Sequence, residues 1–201
     1  MTKIKFCGLK TLDDIFFANE ILPEYVGFVF APKSKRYVTP AQAEEFRGAL
    51  DKKICAVGVF VNEKIFTVAE LLNAGIIDAA QLHGDEDDNY IKNLRELTNR
   101  PIIKAVKFNC ALRITHYALL LIDAGAGDGK VFDWNLLKDF KHEYFLAGGL
   151  TPENVGDAIK LLHPFAVDVS SGIETDGKKD FKKMATFAEV VRRKKVPPIL
   201  F

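Results

Sequence analysis

Short apolar runs alternate along the chain with longer segments whose apolar residues recur every three or four positions. The runs are rich in β-branched and aromatic residues and lack strict alternation with polar ones, a pattern typical of strands covered on both faces. They predict eight strands, over residues 4–7, 25–30, 54–61, 79–82, 101–106, 118–122, 144–147 and 165–169.

The segments between these runs carry signals of helix starts. Thr11 is a candidate N-cap, and the acidic residues Asp13 and Asp14 suit the first turn that would follow it. The pairs Thr39-Pro40 and Thr151-Pro152 each place a proline at the first helical position, where its missing N–H costs nothing. We therefore expect helices to begin at these three points.

Apolar residues at helical spacing indicate which helix faces are buried. Three helices show such faces, formed by Val68, Leu71 and Leu72, by Ala158, Leu161 and Leu162, and by Phe181, Met184, Phe187 and either Val190 or Val191 of a last helix over residues 179–193. The crossovers over residues 107–117 and 134–141 are short, and their helical signals are weaker.

Eight strands, each followed by a crossover, imply parallel strands joined by right-handed connections. An open doubly wound sheet normally uses five or six strands, whereas eight units close naturally into a barrel. No proline-, glycine- or serine-rich linker marks a domain boundary. The sequence therefore predicts an α/β fold, a single compact (β/α)8 TIM barrel over residues 1–201.

Composition narrows the classes of partner. The 28 Lys and Arg against 27 Asp and Glu give no basic excess that would indicate nucleic-acid binding. No apolar stretch approaches the ~18 residues that cross a bilayer, and no signal peptide is recognisable. Three cysteines without a C-x-x-C pair argue against disulfides and a zinc site. We expect a soluble, cytoplasmic protein whose ligand is a small molecule.

In such a barrel the reactive residues lie at the carboxyl ends of the strands and in the loops that follow. This rule selects polar or glycine residues, which ordinary turns also favour: Cys7, residues 33–36, Asn62, His83, Lys107, Asp123, Gly148, Gly149 and residues 168–172.

Two loops near the end of the chain have the composition of a phosphate site. Gly148 and Gly149 follow the seventh strand, and Ser170, Ser171 and Gly172 follow the eighth. Loops at these two positions of a barrel frequently bind phosphate through backbone N–H groups, and a pair of tight turns is the alternative. The glycine-rich residues 125–130 match neither a P-loop nor a dinucleotide loop, which favours a mobile loop near the substrate.

Two of the strand-end residues are candidates for acid–base chemistry. Cys7 ends the first strand, where it is either a small buried hydrophobe or a reactive thiol at the mouth. Asp123 ends an apolar strand, where a carboxylate either pairs with a cation or titrates in catalysis. His83 suits a substrate contact or a structural hydrogen bond, since no second ligand stands at metal spacing. Cys55 and Cys110 should be inert.

The chain opens with Lys5-Phe6-Cys7-Gly8-Leu9-Lys10, which resembles the K-I-C-G-[IL]-[TK] opening of the phosphoribosylanthranilate isomerase family. Similar blocks follow in the family's order over residues 27–30, 33–37, 57–62, 81–86, 121–123, 129–134, 148–155 and 167–174. A departure lies at residues 126–130, where the family's G-G-[ST]-G-K loses a glycine and gains an acid.

The resemblance implies an Amadori rearrangement without cofactor or metal. N-(5′-phosphoribosyl)anthranilate becomes 1-(o-carboxyphenylamino)-1-deoxyribulose 5-phosphate, a reaction of tryptophan biosynthesis. Asp123 would be the general acid and Cys7 the general base, and Arg36 would bind the anthranilate carboxylate. The resemblance also implies a set of further residues that bind the phosphosugar: His83, Gly148, Gly149, Asp168, Ser170, Ser171 and Gly172.

Two other functions are compatible with such a barrel. The related isomerase of histidine biosynthesis runs the same chemistry on a bisphosphorylated substrate, but it has an aspartate where Cys7 stands. A non-catalytic phosphosugar-binding barrel would have lost the catalytic positions, yet Cys7 and Asp123 are both present. The sequence leaves open whether the protein is a monomer or a homodimer, and what the apolar tail over residues 196–201 does.

Overall fold

Eight parallel strands form a closed barrel in chain order in the computed structural model, which describes residues 1–107, 119–123 and 133–193. The first strand, β1, pairs with both β2 and β8, so the sheet has no edge. The prediction of a (β/α)8 barrel is confirmed, and the open sheet is excluded. The strands are β1 Lys3–Cys7, β2 Tyr25–Val29, β3 Cys55–Phe60, β4 Ala79–Leu82, β5 Ile102–Lys107, β6 Leu119–Asp123, β7 Tyr144–Ala147 and β8 Ala166–Val169.

The described crossovers contain six α-helices and two short 3-10 helices. The α-helices are α1 Leu12–Ile21, α2 Pro40–Ala49, α3 Ile65–Asn73, α4 Asp88–Leu97, α5 Val155–Leu162 and α6 Phe181–Arg192. The 3-10 helices are Trp134–Leu137 and Ser171–Ile173, and a small hairpin of β9 Glu174–Thr175 and β10 Lys178–Lys179 precedes α6. None of the helices in these ranges is long and apolar enough to span a membrane.

Two of the three predicted helix starts are confirmed. Thr11 accepts a hydrogen bond from the backbone N–H of Asp14, whose carboxylate accepts one in return from the backbone of Thr11. Thr39 caps α2 in the same way, with Pro40 as the first helical residue. The third start was wrong, because α5 begins only at Val155. A turn precedes that helix, closed by the Asn154 side chain, whose Oδ1 lies 2.8 Å from the Thr151 nitrogen.

Two large clusters of the hydrophobic core in the described residues lie on opposite faces of the strands, and a third, small cluster consists of Cys7, Val29 and Val59. The larger cluster contains buried residues of both strands and helices, so it fills the space between barrel and helices. The second large cluster contains strand residues only, among them Val57, Ile103, Leu121 and Phe145. Since successive side chains of a strand point to opposite faces, this second cluster fills the interior of the barrel.

The predicted helix faces are mostly buried, with two errors. Val68, Leu71 and Leu72 are buried, as are Ala158, Leu162, Met184, Phe187 and Val191. Leu161 and Phe181 are exposed instead. Phe181 is the first residue of α6, since residues 178–179 are held in the hairpin, and its ring packs 5.3 Å from that of Phe17 on the outside.

The remaining predictions concern the crossovers on either side of β6 and the end of the chain. In the described part of the crossover between β6 and β7, residues 133–143, one 3-10 turn takes the place of the longer helix predicted over residues 134–141. Residues 108–117 of the preceding crossover, with Cys110, lie outside the described residues, as do the glycine-rich residues 125–130 and the tail over residues 196–201.

The interior cluster should contribute much of the stability. Phe145 is fully buried within the barrel, so Phe145→Ala removes a ring from a close-packed interior and leaves a cavity. We expect a loss of about 3–5 kcal/mol in the free energy of unfolding, measured by urea denaturation. Phe16→Ala is the matched control on the exposed face of α1 and should change the free energy of unfolding by no more than about 0.5 kcal/mol. Equal losses for the two variants would contradict the assignment of the interior.

Candidate active site

A cavity of about 260 Å³ opens at the carboxyl ends of the strands. Nine of the ten predicted site residues line it: Cys7, Arg36, His83, Asp123, Gly148, Gly149, Asp168, Ser170 and Ser171. The tenth, Gly172, lies directly behind, against the backbone of Leu150. The strand-end candidate Asn62 is not part of the lining and pairs instead with Asp85. The barrel thus brings together residues that the sequence separates by more than half its length.

Cys7 ends β1 with its side chain turned into this cavity. It is buried, with 8% of its surface exposed, and its carbonyl oxygen accepts a hydrogen bond of 3.0 Å from Ser170 Oγ. Burial raises the pKa of the Cys7 thiol, because a thiolate loses its solvation there. The positive charge of Lys5 lowers this pKa, the negative charge of Asp168 raises it, and the positive charge of Lys179 lowers it. The sulfur therefore lies in a field set by several buried charges.

Asp123 ends β6 on the other side of the cavity and contacts His83. Asp123 Oδ2 lies 3.4 Å from His83 Nε2, and about a third of each side chain is exposed. The other imidazole nitrogen, Nδ1, lies 2.9 Å from Nε2 of Gln81. With the amide in this orientation, Nδ1 accepts, and the proton of a neutral imidazole lies on Nε2, the nitrogen nearer to Asp123. The contact between His83 and Asp123 was not foreseen from the sequence.

Arg36 is fixed by a carboxylate that sequence reasoning missed. Its Nε and Nη2 each donate to Glu174 at 2.6 Å, a bidentate ion pair. Lys179 Nζ donates to the same carboxylate at 2.7 Å. Burial raises the pKa of Glu174, but the hydrogen bonds from Arg36 and Lys179 lower it by more, so the resulting pKa is about 2. A side chain at Gly8, whose φ is 77°, would collide with Arg36 Cδ, so the glycine gives the arginine its path.

The two loops with phosphate-site composition are packed against each other. Gly148 and Gly149 have φ values of 96° and 65°, a left-handed conformation that favours glycine. The carbonyl of Gly149 accepts a hydrogen bond of 2.9 Å from Asn154 Nδ2. Gly172 approaches the Leu150 carbonyl so closely that a Cβ there would overlap it. The two loops are therefore in direct backbone contact with each other.

Three residues that support the site escaped the sequence interpretation. Lys5 is a lone charge in an apolar run, two positions before Cys7, and that pattern was the available signal. Glu174 stands in the family-like block over residues 167–174, which assigned it no partner. Lys179 carried no signal, because its contacts with Ser170 and Glu174 depend on the hairpin. Within residues 1–107, 119–123 and 133–193, no three His, Cys, Asp or Glu side chains cluster as metal ligands.

The sequence matches the family model of N-(5′-phosphoribosyl)anthranilate isomerase over residues 4–190. An N-(5′-phosphoribosyl)anthranilate isomerase of Endomicrobium trichonymphae is 44% identical over 199 residues, which cover 96% of this chain and 99% of that protein. The similarity thus extends over nearly the whole of both chains.

Solved structures show the same likeness. The phosphoribosyl anthranilate isomerase of Thermotoga maritima superposes with a TM-score of 0.87 at 37% identity, covering 94% of this chain and 98% of that one. A phosphoribosyl anthranilate isomerase in complex with reduced 1-(o-carboxyphenylamino)-1-deoxyribulose 5-phosphate superposes with a TM-score of 0.83, also at 37% identity, covering 94% and 97%. The chain therefore belongs to the N-(5′-phosphoribosyl)anthranilate isomerase family, enzymes of tryptophan biosynthesis.

Proposed function

We propose that this chain isomerises N-(5′-phosphoribosyl)anthranilate to 1-(o-carboxyphenylamino)-1-deoxyribulose 5-phosphate, with Asp123 as general acid and Cys7 as general base. The observation that carries the proposal is that both side chains line one cavity, together with Arg36 and the two glycine- and serine-containing loops. A similar enzyme binds a reduced form of this product. A thiol, a carboxyl group, a cation and backbone donors are the groups that this substrate requires.

The reaction needs two proton transfers, one at the ring oxygen and one at C2′, which are both bonded to C1′. Asp123 donates a proton to the ring oxygen of the ribose, and the anilino nitrogen opens the ring to give a Schiff base. The Cys7 thiolate then removes the proton from C2′, and the resulting enolamine tautomerises to the ketone. Bonds to hydrogen break and form in equal number, so the sequence of steps needs no oxidant or reductant.

His83 supports the acid in this scheme. Its Nε2 lies 3.4 Å from Asp123 Oδ2, and Gln81 contacts its other ring nitrogen. Once Asp123 has given up its proton, the carboxylate gains a hydrogen-bond donor that is already in place. We therefore propose that His83 acts on the substrate side of the cavity chiefly by stabilising ionised Asp123.

Arg36 suits the anthranilate carboxylate in an end-on arrangement. Glu174 occupies Nε and one side of Nη2, so the side-on approach to the guanidinium is taken. Nη1 and the outer hydrogen of Nη2 remain available to a ligand, since no residue in the described part of the chain binds Nη1. Two parallel hydrogen bonds from this end still match the geometry of a carboxylate.

The phosphate is proposed to lie between the loops after β7 and β8. Backbone N–H groups near Gly149, Ser171 and Gly172 would donate to it, and the hydroxyl group of Ser171 adds a further donor, whereas that of Ser170 donates to the Cys7 carbonyl. Asp168 also faces this part of the cavity. Holding the substrate at its phosphate and its carboxylate fixes both ends, which places the sugar between Asp123 and Cys7.

Removing either proposed catalytic group should abolish most turnover while the protein stays folded. Asp123→Asn cannot donate an acidic proton, and Cys7→Ala cannot accept one. We expect kcat to fall at least about a hundredfold in each variant, equivalent to about 2.7 kcal/mol of barrier. The measurement is the loss of substrate fluorescence, with circular dichroism to show that the variants fold.

Cys55→Ala is the matched control for the thiol. Cys55 lies at the start of β3, at the opposite end of the barrel, and burial raises its pKa to about 12. The control should retain wild-type kcat. Near-normal kcat in folded Cys7→Ala would falsify the proposed mechanism, and absence of turnover by the wild type would instead support a non-catalytic barrel.

The phosphate site can be tested with two glycines of the same conformation. Gly149 and Gly75 have φ values of 65° and 72°, and a Cβ at either would meet open space. Gly149 lines the cavity, whereas Gly75 follows α3 at the far end of the barrel. Gly149→Val should therefore raise KM for the substrate by about tenfold or more, the loss of at least one phosphate hydrogen bond. Gly75→Val should lower the melting temperature to a similar degree with KM unchanged, and equal KM values would rule out this phosphate assignment.

A further inference from the structure

Lys5 is a buried cation inside the barrel that takes no part in the two proton transfers. None of its surface is exposed, and its Nζ lies 2.8 Å from Asp168 Oδ1. Burying an ion pair costs free energy of desolvation, and a hydrophobic pair of similar volume is often at least as stable. The presence of this pair directly beneath the cavity points to a role other than stability.

The strand geometry places Lys5 beside the proposed base. Lys5 and Cys7 are two positions apart on β1, so their side chains point to the same face of the sheet. Across the strand pair, Cys7 lies opposite Gly27 of β2. A Cβ at Gly27 would lie 2.8 Å from Cys7 Sγ and 3.2 Å from Lys5 Nζ. The sulfur and the ammonium group therefore converge on the space that this glycine leaves open.

Lys5 remains charged in this setting. Burial lowers its pKa, but Asp168 and Cys7 raise it by more, so the net shift is upward. An ammonium group has three donors, and Asp168 takes one of them. A further donor can point at the sulfur of Cys7, whose thiolate the same interaction favours.

The other charges that face Cys7 are already engaged. Lys179 and Arg36 both bind the Glu174 carboxylate, at 2.7 and 2.6 Å. Asp168 bears a negative charge on β8 and opposes formation of a thiolate. Among the cations around Cys7, Lys5 makes the largest contribution in favour of the thiolate.

We infer that Lys5 is a positioning residue of this site: held by Asp168, its ammonium group stabilises the thiolate of Cys7 and sets the basicity of that sulfur. Asp168 acts through Lys5, because its carboxylate both fixes the cation and offsets part of its charge. The inference rests on the proposed role of Cys7 as the base. It adds a reason why a buried thiol can give up its proton without a histidine beside it.

The test is the pH dependence of Cys7 alkylation by iodoacetamide, followed on the Cys7 peptide by mass spectrometry. Lys5→Met alone would leave the Asp168 carboxylate buried without its cation, so the comparison is made in an Asp168→Asn background. The double variant Lys5→Met/Asp168→Asn should show a midpoint about 1–3 pH units higher than Asp168→Asn alone, because only the latter retains the cation. The low-pH limb of kcat/KM should move in the same direction.

Asp168→Asn by itself should move the alkylation midpoint below that of the wild type, since Lys5 then has Cys7 as its nearest counter-ion. A residue with a purely structural role would lower activity without moving either midpoint. Identical midpoints in Asp168→Asn and the double variant would overturn the inference, and so would an upward shift in Asp168→Asn.

Gly27→Ala keeps the charges of Lys5 and Asp168, and it is the variant to test if the double variant does not fold. Its methyl group enters the space between Sγ and Nζ, so the midpoint should rise as the two groups separate. An unchanged midpoint in folded Gly27→Ala would also count against the inference.

Alkylation reports the thiol directly, so these outcomes are independent of whether Cys7→Ala loses turnover. Failure of the inference and failure of the proposed mechanism are thus distinguishable.

Discussion

β1 pairs with β8 as well as with β2, and the closure of the barrel brings residues 163 positions apart in the chain into direct contact. Through this pairing Lys5 meets Asp168, and Ser170 reaches the carbonyl of Cys7. The loop that follows β8 in turn supplies Glu174, which fixes Arg36. An open sheet of the same eight strands would leave Cys7 at an edge, without these neighbours.

The fold was predictable because each strand covered on both faces is apolar without interruption, and eight such runs can close only in a few ways. The site residues followed from position, since strand ends in a barrel share one mouth. The supporting contacts of the site could not be foreseen, because they depend on which residues come close in space and not on their order along the chain. Glu174 and Lys179 act through contacts with Arg36 and Ser170 that require the hairpin, which no sequence pattern indicated.

The errors in the helices have a related cause. Periodicity shows which residues can share a face, but it does not show how much of that face the barrel covers. Leu161 and Phe181 satisfy the helical pattern and lie beyond the covered strip. At Thr151 the sequence has the Thr-Pro pair typical of a helix start, but the Asn154 side chain closes a turn there and the helix begins only after it. Local signals therefore set the type of element more securely than its ends.

The contact between Gly172 and the carbonyl of Leu150 ties the loops after β7 and β8 into one unit. Any larger residue at position 172 demands a displaced backbone in the other loop, so the two segments cannot diverge independently. In evolution they should change together or not at all. In protein engineering, a graft of the proposed phosphate site onto another barrel has to carry both loops and both strand ends, because either loop alone would lack the surface against which it packs.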